Sequence, residues 1–256
     1  MIADRSAIVA TGLGVRRGGR WLLRPSDLGV TGGVAGLAGQ PGTGKTTLLA
    51  TFATLRRPTT GALEILGHDT GNSAGLRAIR ARIGYLPARF AWAPQMTAGE
   101  FVAYAAYYKG MRSGAARAAL HRADLTDAAG TQLAHLPPEV RLRAGLAATC
   151  VHEPDIVLLD EPLSRLAAGR PGDDTAAADL VPLIRSLAPV VLVTGTAPAA
   201  LDVWCDRVFT LTRGRLSDAP GAATPPFGSP LPPRRSLRRS LAGPFARAAR
   251  FAGTGV

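Results

Sequence analysis

The residue types best suited to chemistry stand in one glycine-rich run, Gly39-Gln40-Pro41-Gly42-Thr43-Gly44-Lys45-Thr46-Thr47. This run, called the phosphate loop below, fits the pattern G-x-x-x-x-G-K-[ST], whose glycines let successive backbone N–H groups point at phosphate oxygens. The Lys45 ammonium can reach the β- and γ-phosphates of a nucleotide, and the Thr46 hydroxyl can hold Mg²⁺. The whole run is therefore predicted to bind ATP, and Thr46 is also predicted to bind the metal.

Two carboxylates form the second candidate group. Asp160 and Glu161 directly follow the apolar run Ile156–Leu159, which predicts a strand buried on both faces. Because ligands bind at the carboxyl ends of parallel strands, Asp160 is placed to hold Mg²⁺ directly or through water. Glu161 is placed to accept a proton from an attacking water, as the catalytic base. A strand ending in a solvated acidic turn has the same pattern, and the phosphate loop favours the interpretation as a site.

The elements around these residues have the required order. An apolar stretch at 34–38 predicts a strand before the phosphate loop, and the pattern at 46–56 predicts a helix whose positive dipole end faces the phosphates. Strands and helices alternate, which predicts an α/β, P-loop NTPase fold with a mainly parallel sheet, N-terminal antiparallel strands and an inserted helical subdomain. Further strands are expected at 62–66, 83–86, 190–194 and 207–212, two or three short strands within 6–30, and helices at 97–129, 142–151 and 175–187.

Composition divides the chain of 256 residues into two parts. Residues 1–218 are expected to form one ATP-binding domain, with the helical subdomain at about 89–150, and residues 219–256 a flexible tail rich in proline and arginine. The tail contains six arginines and no acid, which is half of the net charge of +12. The absence of a long apolar run predicts no transmembrane helix, and Cys150 and Cys205 are expected to be buried free thiols in the cytosol.

The two motifs, their order and the helical insertion resemble an ATP-binding subunit of the ABC transporter superfamily over about residues 5–217. The resemblance is greatest to exporter-type subunits whose permease is a separate chain, and it extends to the local runs 55–61, 82–87 and 205–208. It implies ATP and Mg²⁺ as ligands, a membrane permease subunit as partner, and a peripheral place on the inner face of the plasma membrane. It also implies a head-to-tail dimer, in which the phosphate loop of one subunit faces the signature segment of the other.

Several positions depart from the family pattern. The glutamine that contacts Mg²⁺ and water is Ala88 here, and the switch histidine aligns with Thr196. The signature Leu-Ser-Gly-Gly-Gln falls on Leu136-Pro137-Pro138-Glu139-Val140, where the prolines have no N–H to donate and the acid would repel a phosphate. The segment Ser-Ala-Leu-Asp is Ser164-Arg165-Leu166-Ala167 and lacks the aspartate. The aromatic that stacks on adenine falls on Arg17, so that either Trp21 or a cation–π contact of Arg17 would replace it.

These matches and departures together predict an ATP-binding subunit that energises or gates export with impaired ATP hydrolysis. We expect a dimer, with a second, intact ATP-binding subunit as the other half. A catalytically inactive regulatory nucleotide-binding subunit is the first alternative. A P-loop ATPase acting on nucleic acid is the second, supported only by the basic tail, and nucleic acid is not expected as a partner. The aromatic residues of the helical block belong either to helix packing and subdomain surface or to a permease-docking face: Phe101, Tyr104, Tyr107 and Tyr108.

Overall fold

The computed structural model describes residues 6–88, 93–112, 114–164 and 175–218. Its N-terminal part is an antiparallel sheet of four strands in the order β2-β1-β4-β5. These strands are β1 (Ile8–Arg17), β2 (Arg20–Val30), β4 (Thr60–Ile65) and β5 (His68–Asp69). Gly18 and Gly19 join β1 to β2 with φ of 55° and 77°, the left-handed values that a two-residue hairpin turn requires. The predicted antiparallel strands are confirmed, and the two strands within 6–30, of 10 and 11 residues, are longer than the short ones predicted.

A second sheet of six strands positions the candidate site, in the order β10-β9-β3-β8-β7-β6. The strands are β3 (Gly33–Ala38), β6 (Ile83–Leu86), β7 (Ile156–Leu159), β8 (Val190–Gly195), β9 (Arg207–Thr212) and β10 (Arg215–Asp218). All pairings are parallel except that of β9 with β10. Because β3, β8 and β7 are neighbours with matched ends, the phosphate loop and the acids after β7 emerge at the same edge of the sheet.

The described helices are α1 (Lys45–Phe52), α2 (Ser73–Arg80), α3 (Ala98–Tyr108), α4 (Gly114–Arg122), α5 (Pro138–Cys150), α6 (Thr175–Ser186) and α7 (Pro198–Asp202). Two helix predictions were too long. The helix predicted at 46–56 ends at Phe52, because Thr54 takes a left-handed φ of 58°. The helical pattern predicted at 97–129 corresponds to two helices that end at Arg122: Gly110, with φ of 65°, ends α3, and α4 follows separately.

Three apolar clusters hold these layers together. One lies between the two sheets and includes Leu13, Leu49 and Phe52. A second packs α5 and α6 on the other face of the parallel sheet, and a third lies among α3, α4 and α5. The start of α3 carries a capping box, in which Thr97 Oγ1 accepts from the Glu100 N–H and Glu100 Oε2 accepts from the Thr97 N–H. The helical block therefore has its own apolar core and shares α5 with the main sheet.

The two cysteines differ in exposure. Both are free, but only Cys150 is buried, and Cys205 is partly exposed, so the prediction of two buried thiols holds for one of them. Burial raises the pKa of both thiols to about 12, so that both are protonated at neutral pH. Within the described ranges, no helix combines the length and apolarity needed to cross a bilayer. The predicted tail at 219–256 lies outside the described residues.

Candidate functional site

The phosphate loop connects β3 to α1 and depends on its glycines. Gly42 and Gly44 have φ of 80° and 110°, values that residues with a Cβ rarely adopt. A Cβ on Gly44 would lie 2.8 Å from Leu22 Cβ, and one on Gly39 would lie 2.8 Å from the Leu211 carbonyl oxygen. The Gly39 N–H donates to the Gly195 carbonyl at 3.1 Å, which ties the loop to the end of β8. The predicted strand, loop and helix are confirmed, with the first N–H groups of α1 beside the loop.

Lys45 is 4% exposed and bridges the loop to the acidic residues after β7. Its ammonium donates to the Gly39 carbonyl at 2.6 Å and approaches the Gln40 carbonyl at 3.4 Å. It also forms an ion pair of 3.0 Å with Glu161 Oε1. These contacts use all three donors of the ammonium, and the structure thus brings the predicted catalytic acid directly to the predicted phosphate-binding lysine.

Asp160 is 1% exposed, and its two carboxylate oxygens have different surroundings. Oδ1 accepts a hydrogen bond of 2.8 Å from the Thr194 hydroxyl. Oδ2 is buried and has no hydrogen-bond partner among the described residues. A buried carboxylate oxygen without a donor is unfavourable, and a cation or its bound water would satisfy it. The hydroxyl of Thr46, which is exposed at the start of α1, supplies the other type of oxygen ligand that Mg²⁺ accepts, so these residues fit the metal.

Two residues of the site were missed by the sequence analysis. Thr194, at the end of β8, accepts a hydrogen bond of 2.8 Å from the Glu161 N–H as well as donating to Asp160. Its position after the apolar run 190–193, in a strand next to β7, was the signal that could have identified it. Tyr85 on β6 is the other: burial, and secondarily the charge of Asp160, raises its pKa to about 12. The Tyr85 hydroxyl is therefore a neutral hydrogen-bonding group near the acid at pH 7.

The family model described as ABC transporter matches residues 29–164, more than half of the chain, and includes both the phosphate loop and the two acids. The chain belongs to the ABC transporter family.

Curated relatives of this ABC transporter family member are ATP-binding proteins of several transport systems. It is 32% identical over 219 residues to the daunorubicin resistance ATP-binding protein DrrA3 of Streptomyces coeruleorubidus, with 82% of this chain and 67% of that protein covered. It is 31% identical over 241 residues to the phosphonates import ATP-binding protein PhnC of Anaeromyxobacter dehalogenans, with 86% and 47% covered. The chain thus spans between about half and two thirds of the length of these relatives.

Solved structures share the fold. The structure of cbiO1 from Clostridium perfringens, part of the ABC transporter complex cbiONQ, superposes with a TM-score of 0.71 at 19% identity, covering 84% of this chain and 88% of that one. The dimeric ATP-binding cassette MJ0796 bound to ADP and Pi gives 0.70 at 23% identity, covering 83% and 97%. These likenesses establish an ABC ATPase fold for this family member, which confirms the predicted fold class.

The signature-aligned segment of this ABC protein lies at the start of α5. Leu136 is buried, Pro137 caps the helix without a side-chain hydrogen bond, and Pro138 is its first residue. Glu139 adds an acid to the first turn. A helix N-terminus normally offers free N–H groups to an anion, but proline has none. The structure therefore places this segment at a helix start whose cap and first residue have no N–H to donate.

The remaining departures from the ABC pattern are distributed around the edge of the site. Ala88 follows β6 and has no polar side chain, and Thr196 is exposed just beyond β8. Arg16, not Arg17, contacts Trp21, with its guanidinium carbon 4.6 Å from the ring centroid. Which residue stacks on adenine stays a prediction. Of the segment aligned with Ser-Ala-Leu-Asp, only Ser164 is described, and 165–167 lie outside the described residues.

Proposed function

We propose that this chain is the ATP-binding subunit of an ABC exporter, that it binds Mg-ATP, and that it hydrolyses ATP poorly. The observation that carries the proposal is a contrast within one molecule. Lys45, Asp160 and Glu161 converge on the phosphate loop, with Asp160 Oδ2 left without a donor among the described residues. The segment proposed to complete the site of a partner subunit begins with Pro137-Pro138, which have no N–H to donate, and Glu139 adds a negative charge there.

Nucleotide binding would redistribute the contacts of Lys45. A phosphate oxygen can replace Glu161 Oε1 as its anionic partner, because the ammonium is already directed toward the loop by the Gly39 carbonyl. Mg²⁺, held by Thr46 and Asp160, would neutralise charge on the phosphates. Glu161 would then be released from the lysine and become available to accept a proton from water.

The residues that would position water and sense the γ-phosphate are missing. Ala88 has no side-chain amide, and the sequence pattern aligns Thr196 with the family's histidine. Removing one preorganised donor from an active site can cost ~10²–10³ in rate. Poor hydrolysis is therefore expected even with Glu161 present. The same missing residues also support a second candidate function, that of a regulatory subunit with negligible turnover.

The isolated chain should hydrolyse ATP at less than about 0.1 s⁻¹, at least ~10²-fold below the typical enzyme turnover of about 10 s⁻¹. Steady-state phosphate release at saturating Mg-ATP measures this rate. The control is Glu161→Gln, which keeps the size of the side chain and removes the base. Turnover near 10 s⁻¹ that disappears in Glu161→Gln would show that the missing residues are not needed, and would refute the proposal.

Export and a peripheral place at the inner face of the plasma membrane are part of the proposal. The name of the relative from Streptomyces coeruleorubidus, a daunorubicin resistance protein, supports export. Other relatives are named for import, so direction has to be measured with the permease present. Inverted vesicles that contain the complex should accumulate substrate on addition of ATP if the direction is export, and should not accumulate it if the direction is import.

A groove beside the helical block supports a separate permease as partner. It has a volume of about 470 Å³ and lies between β6 and helices α3 and α5, with Leu55, Phe101 and Lys109 among its lining residues. Tyr107 and Tyr108 are about 80% exposed on α3. Large exposed aromatic residues beside an apolar groove are typical of a protein-binding surface. We propose that a cytoplasmic segment of the permease binds here.

A charge introduced into this groove should prevent assembly. Leu55→Glu places a carboxylate on a side chain that is 64% exposed and lines the groove, so the fold should tolerate it. The matched control is Val203→Glu, on a side chain that is 85% exposed and does not line the groove. Co-purification with the coexpressed permease should fail for Leu55→Glu alone. Equal recovery of permease with both variants would contradict the assignment of this surface.

A further inference from the structure

We infer that Thr194 is the positioning residue of the site, and that its hydroxyl directs one oxygen of Asp160 toward the metal. The inference rests on the proposed binding of Mg-ATP. Thr194 stands at the end of β8, between the phosphate loop and the strand that carries the acids. Nothing in the signature, glutamine or histidine positions of the family pattern assigns it a role.

The Thr194 hydroxyl acts both as a hydrogen-bond donor and as an acceptor. The hydroxyl donates its single proton to Asp160 Oδ1 at 2.8 Å, and it accepts the Glu161 N–H at 2.8 Å. Thr194 is 2% exposed, so solvent does not compete for either bond. One buried side chain thus bonds to the Asp160 carboxylate and to the Glu161 backbone, and it does so from a neighbouring strand.

The bond to Asp160 makes the two carboxylate oxygens inequivalent. With Oδ1 held by Thr194, the carboxylate cannot rotate freely, and Oδ2 is the oxygen left without a partner among the described residues. A residue that fixes a metal-binding carboxylate in this way acts on metal affinity without touching the metal. The metal-binding capacity of Asp160 therefore depends on the Thr194 hydroxyl.

The bond to Glu161 acts on the backbone. Glu161 has φ of 47°, a left-handed conformation that residues with a Cβ seldom adopt and that needs support from their surroundings. The Thr194 hydroxyl provides that support by accepting the Glu161 N–H. This conformation is the one in which the Glu161 carboxylate lies 3.0 Å from Lys45 Nζ. Thr194 consequently sets the positions of both acids.

The test compares nucleotide affinity with and without the metal, using a fluorescent ATP analogue in excess MgCl₂ and in excess EDTA. Thr194→Val keeps the shape of the side chain and removes the hydroxyl. It should weaken binding in MgCl₂ by about 10–100-fold, the usual effect of losing a group that orients a metal ligand. Affinity in EDTA should stay at the parent value, and Thr194→Ser, which restores the hydroxyl, should recover the metal effect.

Thr51→Val is the matched control, because Thr51 is also buried and donates only to the Thr47 carbonyl within α1, at 2.9 Å. It should leave the ratio of the two affinities unchanged. If Thr194→Val does not fold, Thr194→Ala gives the same comparison.

An unchanged ratio in Thr194→Val, or an equal loss in MgCl₂ and EDTA, would overturn the inference while leaving the proposed function intact. If the parent chain itself binds no nucleotide in MgCl₂, the proposed function fails and the inference fails with it.

Discussion

Lys45→Ala should abolish the rise in melting temperature that saturating Mg-ATP produces in the parent chain. A ligand present at 100 times its dissociation constant adds about 2.7 kcal/mol to the free energy of unfolding. For a domain of this size, that corresponds to a rise of about 5–10 °C. Lys45 is a buried cation whose ammonium contacts both the loop and Glu161. Alanine at this position leaves no ammonium that could bind a phosphate oxygen in place of the Glu161 carboxylate. Thermal denaturation with and without Mg-ATP measures the rise in each variant.

Lys109→Ala is the control for this comparison. Lys109 is the only other lysine of the chain, and its ammonium lies in the groove, 3.3 Å from the Arg80 carbonyl. Its loss should leave the ATP-induced rise intact, whatever it does to the baseline stability. A parent chain whose melting temperature does not respond to ATP at any concentration, or a Lys45→Ala variant that responds fully, would contradict the assignment of the loop.

A complex with an intact second ATP-binding subunit should lose its turnover unequally when the catalytic glutamates are replaced. Glutamine in place of the intact subunit's glutamate should lower turnover by ~10²-fold or more, the usual contribution of a general base. Glu161→Gln should leave most of the turnover, because the site built on this chain's phosphate loop lacks the family glutamine, at Ala88, and the histidine. Steady-state phosphate release of the reconstituted complex measures both.

Each variant is the control for the other, because the same glutamate-to-glutamine substitution is made in one subunit or the other of the same complex. Equal losses would show that both sites hydrolyse ATP. A larger loss from Glu161→Gln would place catalysis in this chain and would refute the assignment of impaired hydrolysis. The effects of residues that act together are not additive. We therefore predict which of the two substitutions lowers turnover more, and we do not predict the sum of the two losses.

The sequence predicted those parts of the site that consist of residues contiguous in the chain. The phosphate loop needs glycines at fixed spacing, and the acids follow a strand that is apolar at every position, so each local pattern is compatible with only a few structures. The structure brings the two motifs together, with Lys45 Nζ 3.0 Å from Glu161 Oε1, and the roles of these residues stay predictions. The family match covers the same motifs that carried the resemblance.

The parts that escaped prediction depend on contacts distant in sequence. The apolar run 190–193 marks a strand that ends near Thr194, but it does not show that β8 lies beside β7. The hydrogen bonds of the Thr194 hydroxyl with Asp160 and with the Glu161 N–H depend on that pairing. The break between α3 and α4 depends on the left-handed φ of Gly110, which a glycine permits but does not require. The short strand β5 and helix α2 were not predicted either, although Asn72 caps α2 and its apolar residues Leu76 and Ile79 have helical spacing.

The central claim, that this chain holds Mg-ATP and barely hydrolyses it, is tested most directly by a single turnover. The chain is mixed in excess with labelled ATP and Mg²⁺, and bound nucleotide is identified after quenching at intervals. We expect ATP to be bound and most of it to be still ATP after several seconds, as a rate of about 0.1 s⁻¹ or slower requires. Complete conversion to ADP within about one second, or no bound nucleotide at all, would contradict it.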